Sequence, residues 1–240
     1  MIEPVDFIVP LGTESLWHDD ELRLLLRSIE KYAIRCRRII VVASSPPEWL
    51  KNVKVIQRAD MLQHNKDGNI IRKVVAAAKT PGISKNFIWS CDDCVLLQPL
   101  DLANLPPIRN RRGKEYFPVD GSRWQRRVRR TFEFFEARGV KLECNFESHT
   151  PQRFPTADLL RVMDGVDYTS GVGYSINTLF YGLLGITCGL EQELLKDTNE
   201  IRGSAQIGKP ICGYNDDAFS TGLREKLFRL FPNPSSYERM

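Results

Sequence analysis

Long hydrophobic runs are missing from this chain, and histidine is scarce, with 3 in 240 residues. The longest apolar stretches, such as Phe7 to Leu11 and Ile39 to Ala43, are far short of the ~20 residues that span a bilayer as a helix. The opening Met1-Ile2-Glu3-Pro4 carries no basic-then-apolar leader pattern, so a cytoplasmic protein with no membrane partner is expected. Repeats and low-complexity tracts are lacking as well. Cysteine is not dense: Cys36, Cys91, Cys94, Cys144, Cys188 and Cys212 are scattered, which favours reduced thiols over a disulfide framework. Cys91 and Cys94 form the one CxxC, and no second CxxC or Cys/His pair at zinc-finger spacing completes a structural zinc site.

The composition is that of an ordinary globular protein, 42% hydrophobic and 27% charged, long enough for one large α/β domain over 1–240 but cramped for two. The net charge of +4 is small, yet it hides a basic stretch. From Arg109 to Arg130 there are nine Lys/Arg against two Asp/Glu, so any attraction to a polyanion is local.

The first hundred residues alternate β-rich runs with helical patterns. Asp6 to Leu11, Arg38 to Val42, Val53 to Ile56 and Phe87 to Trp89 read as strands. Between them, Leu22, Leu25, Leu26 and Ile29 give the i, i+3, i+4, i+7 stripe of an amphipathic helix, and Asn69 to Ala78 is a second helix. Such alternation implies right-handed crossovers and a mainly parallel sheet flanked by helices, a nucleotide-binding half over 1–100. Beyond Leu100 lies a more irregular half, 101–240. It holds helices at Val128 to Ala137, Thr156 to Met163 and Asp217 to Leu230, and an apolar segment, Asn177 to Leu184, that reads as helix or strand.

Ligands of open α/β sheets bind beyond the carboxyl ends of the strands, which singles out Pro10-Leu11-Gly12-Thr13, Ser44-Ser45 and Ser90-Cys91-Asp92-Asp93. The Asp92-Asp93 pair follows a core strand directly, where two hard oxygen ligands suit Mg²⁺ or Mn²⁺. Such an ion neutralises the charge that develops when a nucleoside diphosphate departs. A hydrated acidic turn is the plainer alternative. Gly203 to Lys209 imitates a phosphate-binding loop, but Pro210 stands where the Ser/Thr belongs.

Leu25-Leu26-Arg27-Ser28-Ile29-Glu30-Lys31-Tyr32, Ile39-Ile40-Val41-Val42, Pro47-Glu48-Trp49-Leu50 and Phe87-Ile88-Trp89-Ser90-Cys91-Asp92-Asp93 follow one another in an order that resembles GT-A-like glycosyltransferases of the bacteriophage type. The same progression resembles the related Stealth sugar-phosphate transferases, with His149-Thr150-Pro151 and Phe231-Pro232-Asn233-Pro234-Ser235 in the later positions. The chain departs from Stealth proteins at its start, where Ile8-Val9-Pro10-Leu11 replaces a "YTWVDG"-like segment, so ordinary glycosyl transfer is favoured over sugar-phosphate transfer.

The resemblance implies a GT-A-like, Rossmann-related fold and a nucleotide-sugar donor, UDP-sugar by default. It implies Asp92, Asp93 and His149 as ligands of Mn²⁺ or Mg²⁺, with Asp93, His149 and Glu147 as the catalytic groups. Pro10, Leu11, Gly12, Thr13, Lys66, Asn69, Arg72, Lys73 and Asp92 would bind the donor. For each cation a solvated helix face competes with that role, and for Gly12 a simple tight turn does. Within the basic stretch, Arg111, Arg112, Arg126, Arg127, Arg129 and Arg130 are interleaved with aromatic residues, so double-stranded DNA carrying hydroxymethylated pyrimidines is a candidate acceptor. A non-enzymatic nucleic-acid-binding protein is the alternative from a different class. Oligomeric state cannot be read from the sequence.

Overall fold

In chain order the first half runs β1 (Val5–Pro10), α1 (Asp20–Tyr32), β2 (Cys36–Ala43), β3 (Lys54–Gln57), α2 (Lys66–Ala78) and β4 (Asn86–Trp89). The second half adds β5 (Cys94–Leu96), α3 (Arg123–Glu136), β6 (Gln152–Pro155), α4 (Thr156–Met163), α5 (Ile176–Leu183), β7 (Lys196–Asn199), β8 (Ile211–Tyr214) and α6 (Arg224–Leu230). These assignments come from a computed structural model that describes residues 2–239.

The main sheet has the order β3-β2-β1-β4-β6. Its first four strands are parallel, and β6 joins antiparallel to β4. Strand β1 is buried along its whole length because it is paired on both edges and covered on both faces, as a central parallel strand must be. Its side chains alternate between two cores. Ile8, with Ile40, Val42, Phe87 and Phe154, meets Ile71 and Val74 of α2 and Phe180 of α5. Phe7 and Val9, with Ile39, Val41 and Ile88, meet Leu22, Leu25 and Ile29 of α1. The mixed α/β architecture with a mostly parallel central sheet is therefore as expected, and the four strands of the first half lie where the sequence placed them.

The two halves of the sequence interlock. Strand β6 closes the edge of the first-half sheet, and β5, directly after the acidic pair, runs antiparallel to β8 in a smaller sheet of order β7-β8-β5. Helix α1 bridges the two sheets: Ser28 Oγ accepts the backbone N–H of Leu96 at 3.0 Å. The apolar segment after residue 175 is a helix, started by Ser175, whose hydroxyl accepts from the Thr178 N–H.

The single terminal helix expected over Asp217 to Leu230 is a correction. The chain makes one turn at Asp216–Ala218, then a wide turn over Phe219–Leu223, and only then α6. Gly222 has φ 100°, a conformation open to glycine and strained for any other residue. The kink lets Phe219, Leu223 and Leu227 all reach the core around Tyr214. Among the described residues, no helix is long and apolar enough to cross a membrane.

Candidate active site

Antiparallel pairing of β4 with β6 builds the site. Trp89, the last residue of β4, lies opposite Gln152, the first of β6. The chain leaving β4 and the chain entering β6 therefore meet at one sheet edge, which brings Asp92-Asp93 beside His149. His149 Nε2 lies 2.8 Å from Asp93 Oδ1. The entering loop is fixed from behind, since Gln152 Nε2 donates to Ser148 Oγ and to Ile108 O, both at 2.8 Å. Non-glycine residues rarely take positive φ, yet His149 sits at φ 53°, held there by those bonds. Gly213 gives room on the other side: a Cβ there would stand 3.2 Å from His149 O.

These residues open into a cavity of about 590 Å³ beyond the ends of β1 and β4, within the usual range for small-molecule sites. A wider depression of about 680 Å³ between α1 and α6 is lined by Arg23, Arg27 and Arg224. Those arginines are already paired with Glu238 and Asp20, so the strand-end cavity is the better ligand site.

Asp93 and His149 keep 30% and 31% of their side-chain exposure, through the cavity mouth. Burial works to raise Asp93, but the charge and hydrogen bond of His149 outweigh it and hold the carboxylate below its ordinary range. Burial works to lower His149, and Asp93 outweighs it in the same way, lifting the imidazole above its usual value. Asp92 stands apart from this pair. Burial, then the charges of Asp93 and Glu21, push it up to about 7. Burial and the charge of Asp93 push the Cys91 thiol well up.

The expected donor-binding residues divide by what they already hold. Pro10, Leu11, Gly12, Thr13, Lys66, Asn69 and Lys73 all line the cavity, whereas Arg72 does not; its guanidinium reaches Met61 Sδ at 3.1 Å. Lys73 is buried and committed: its ammonium donates to Leu11 O at 2.7 Å and to Asp60 at 2.8 Å, pinning the loop after β1. Asn69 is committed too, exchanging hydrogen bonds with the backbone of Leu62. Lys66 is paired only with the exposed Glu14, a weak surface bond that a phosphate can displace.

Glu147 lies in the cavity wall, but both oxygens are engaged, one by Arg127 and one by Ser175 Oγ, each at 2.5 Å. Arg127 also bonds Asp67, so the arginine is the buried tie between α3, α2 and the His149 loop. The rest of the basic stretch is mostly tied as well. Arg111 pairs with Glu191 and Arg129 with Glu133, and Arg130 bonds Ser170 and stacks on Tyr174. Arg112 and Arg126 are exposed and lie outside the cavity lining. The stretch is therefore no continuous free cationic strip, because most of its charges are spent on neighbouring carboxylates and carbonyls.

Sequence reasoning missed several cavity residues. Arg123 and Trp124, at the start of α3, line it; they were visible only as members of the basic stretch. Glu21, buried at the start of α1, gave no signal. Tyr214 at the end of β8 lines the cavity, its buried hydroxyl has no hydrogen-bond partner among the described residues, and its N–H donates to Asp93 O at 3.2 Å. Cys91 was weighed only as half of a CxxC, yet its Sγ joins a carboxylate oxygen of Asp93 and a ring nitrogen of His149 in one cluster. No protein-family model matches the chain, and no curated protein matches it.

Proposed function

We propose that this chain is a divalent-metal-dependent glycosyltransferase of GT-A type, moving a sugar from a nucleotide-sugar to an acceptor hydroxyl. The resemblance favours UDP-sugar as donor. The observation that carries the reading is one cavity at the ends of parallel strands that combines the Asp93–His149 pair with two available cations, Lys66 and Arg123. The donor set fits a divalent ion: Asp93 and His149 would hold it, and when bound it neutralises charge on the departing phosphate oxygens.

Lys66 and Arg123 hold the diphosphate as point charge and fork. Trp124, 36% exposed at the rim, offers a ring face for a base or sugar. Asp92 makes no side-chain hydrogen bond to another of the described residues, which leaves it to take the acceptor's proton. Glu147 serves as a positioning residue that keeps Arg127 and the His149 loop in register. A hydroxymethylated pyrimidine in DNA remains a candidate acceptor through the exposed Arg112 and Arg126.

The test is incubation with UDP-, GDP-, CDP- and TDP-sugars, Mn²⁺ and an acceptor panel that includes hydroxymethylated DNA, followed by identification of the released nucleotide. A nucleoside diphosphate is expected, with Asp93→Asn slower by at least about 100-fold. A nucleoside monophosphate would instead assign Stealth-like sugar-phosphate transfer. Nucleic-acid binding with no release from any donor would point to the non-enzymatic alternative.

A further inference from the structure

The CxxC of this chain is split by the strand it enters. Cys94 is fully buried in β5 and packs in the α1 core, whereas Cys91 lines the cavity. The two thiols are both free and serve different surroundings. Cys91 Sγ, an Asp93 oxygen and a His149 ring nitrogen lie within 4.8 Å of one another. Asp92, the other half of the acidic pair, is not among them.

A thiolate, a carboxylate and an imidazole together are a poor set for Mg²⁺, which keeps oxygen ligands and water, and a good set for Zn²⁺ and ions like it. Three protein donors with a fourth side open to a cavity is the arrangement of a catalytic zinc site; a structural site closes with four. The open side carries a further observation. Tyr214 lines this cavity, is only 1% exposed, and its backbone N–H is bonded to Asp93; its buried hydroxyl has no hydrogen-bond partner among the described residues. A buried hydroxyl left unpaired is costly, and a ligand at the open position would satisfy it.

We propose that Cys91, Asp93 and His149 form a three-donor site for a zinc-class divalent ion, with Cys91 bound as thiolate and Tyr214 hydrogen-bonded to whatever fills the open position. The proposal rests on the reading that this end of the cavity holds a divalent ion, and it changes both the ligand set and the ion. Loading displaces the Cys91 thiol proton and any proton shared between His149 Nε2 and Asp93, and both pass to solvent.

The test is titration of the full-length, chelator-treated and reduced protein with Co²⁺, followed by optical absorption. Wild type should give a near-ultraviolet thiolate-to-cobalt charge-transfer band with visible d–d bands, and Zn²⁺ should displace the cobalt. Cys91→Ser should lose the charge-transfer band and weaken Zn²⁺ binding by more than about 100-fold, while Asp92→Asn should keep the band. Cobalt or manganese that binds wild type with no charge-transfer band, and is lost in Asp92→Asn, would overturn the Cys91 assignment and leave metal-dependent transfer standing. Binding of no divalent ion, with or without a nucleotide-sugar, would overturn both. Because the wild-type band alone decides the first point, a misfolded Cys91→Ser variant would not rescue the proposal.

Discussion

Arg127 shows how much of this site is structural. Its side chain is mostly buried, binds Asp67 and Glu147 at once, and has an Nε with no partner among the described residues. Removing one member of a buried charge cluster leaves the others unpaired in a poor solvent for charge, which costs far more than losing a surface pair. Arg127→Ala should therefore lower stability by about 3 to 5 kcal/mol, measured by urea unfolding, whereas Arg126→Ala, exposed and unpaired, should change it by less than about 0.5 kcal/mol. Equal effects at the two positions would contradict this view of the basic stretch. Their sequence neighbourhoods are alike. Nothing in the run Arg126-Arg127-Val128-Arg129-Arg130 says which arginine turns inward, because that depends on the partners α2 and the His149 loop bring to it. His149 was legible for a simpler reason: histidines are few, and this one stands in a polar loop ended by proline. Cys91 and Tyr214 were not, since side-chain direction beyond a strand end is set by the pairing of β5 with β8, which spacing does not reveal.

Among the elements, α1 ties the first half to the last residues of the second. Its outer face carries Arg23 and Arg27, which clasp Glu238, a residue 1% exposed near the end of the chain. Glu238 also accepts from the N–H and hydroxyl of Ser235. Burial opposes its ionisation, but Arg27, the Ser235 N–H and Arg23 together bring its pKa down to about 2. The pKa is depressed on folding, so the carboxylate adds stability that is fully present above its ordinary value of 4.5. That stability is lost as pH falls towards about 2. Glu238→Gln should cost about 2 to 3 kcal/mol at neutral pH and flatten the pH dependence of unfolding below pH ~4.5. An unchanged acid-unfolding profile would rule out this clasp. The amphipathic stripe of α1 was plain in the sequence, as were the strands on either side of it. The broken terminal helix was not, because its apolar residues keep helical spacing through Gly222 and only the packing around Tyr214 exposes the kink.

For the whole molecule, the parallel half was readable because each strand there is a short apolar run followed by a helical stripe, and connections of that kind leave one hand and one sheet. The rest was hidden by pairings across long separations: β6 with β4, and β8 with β5. Those pairings make the cavity, since they carry His149 and Tyr214 to the strand ends that the first half merely points at. The interlocked halves should unfold together, so ligand binding in the cavity should stabilise the entire chain. The most direct measurement is thermal unfolding against UDP-, GDP-, CDP- and TDP-sugars, each with and without Mn²⁺ or Zn²⁺. At a ligand concentration about 100 times its dissociation constant, stability rises by about 2.7 kcal/mol, which for a chain of this size moves the midpoint by roughly 5 to 10 °C. The expected result is such a shift for one nucleotide only, present with metal, absent without it, and abolished in Asp93→Asn. A shift of that size that survives both metal removal and Asp93→Asn, or no shift with any pair, would contradict a metal-assisted nucleotide-sugar site.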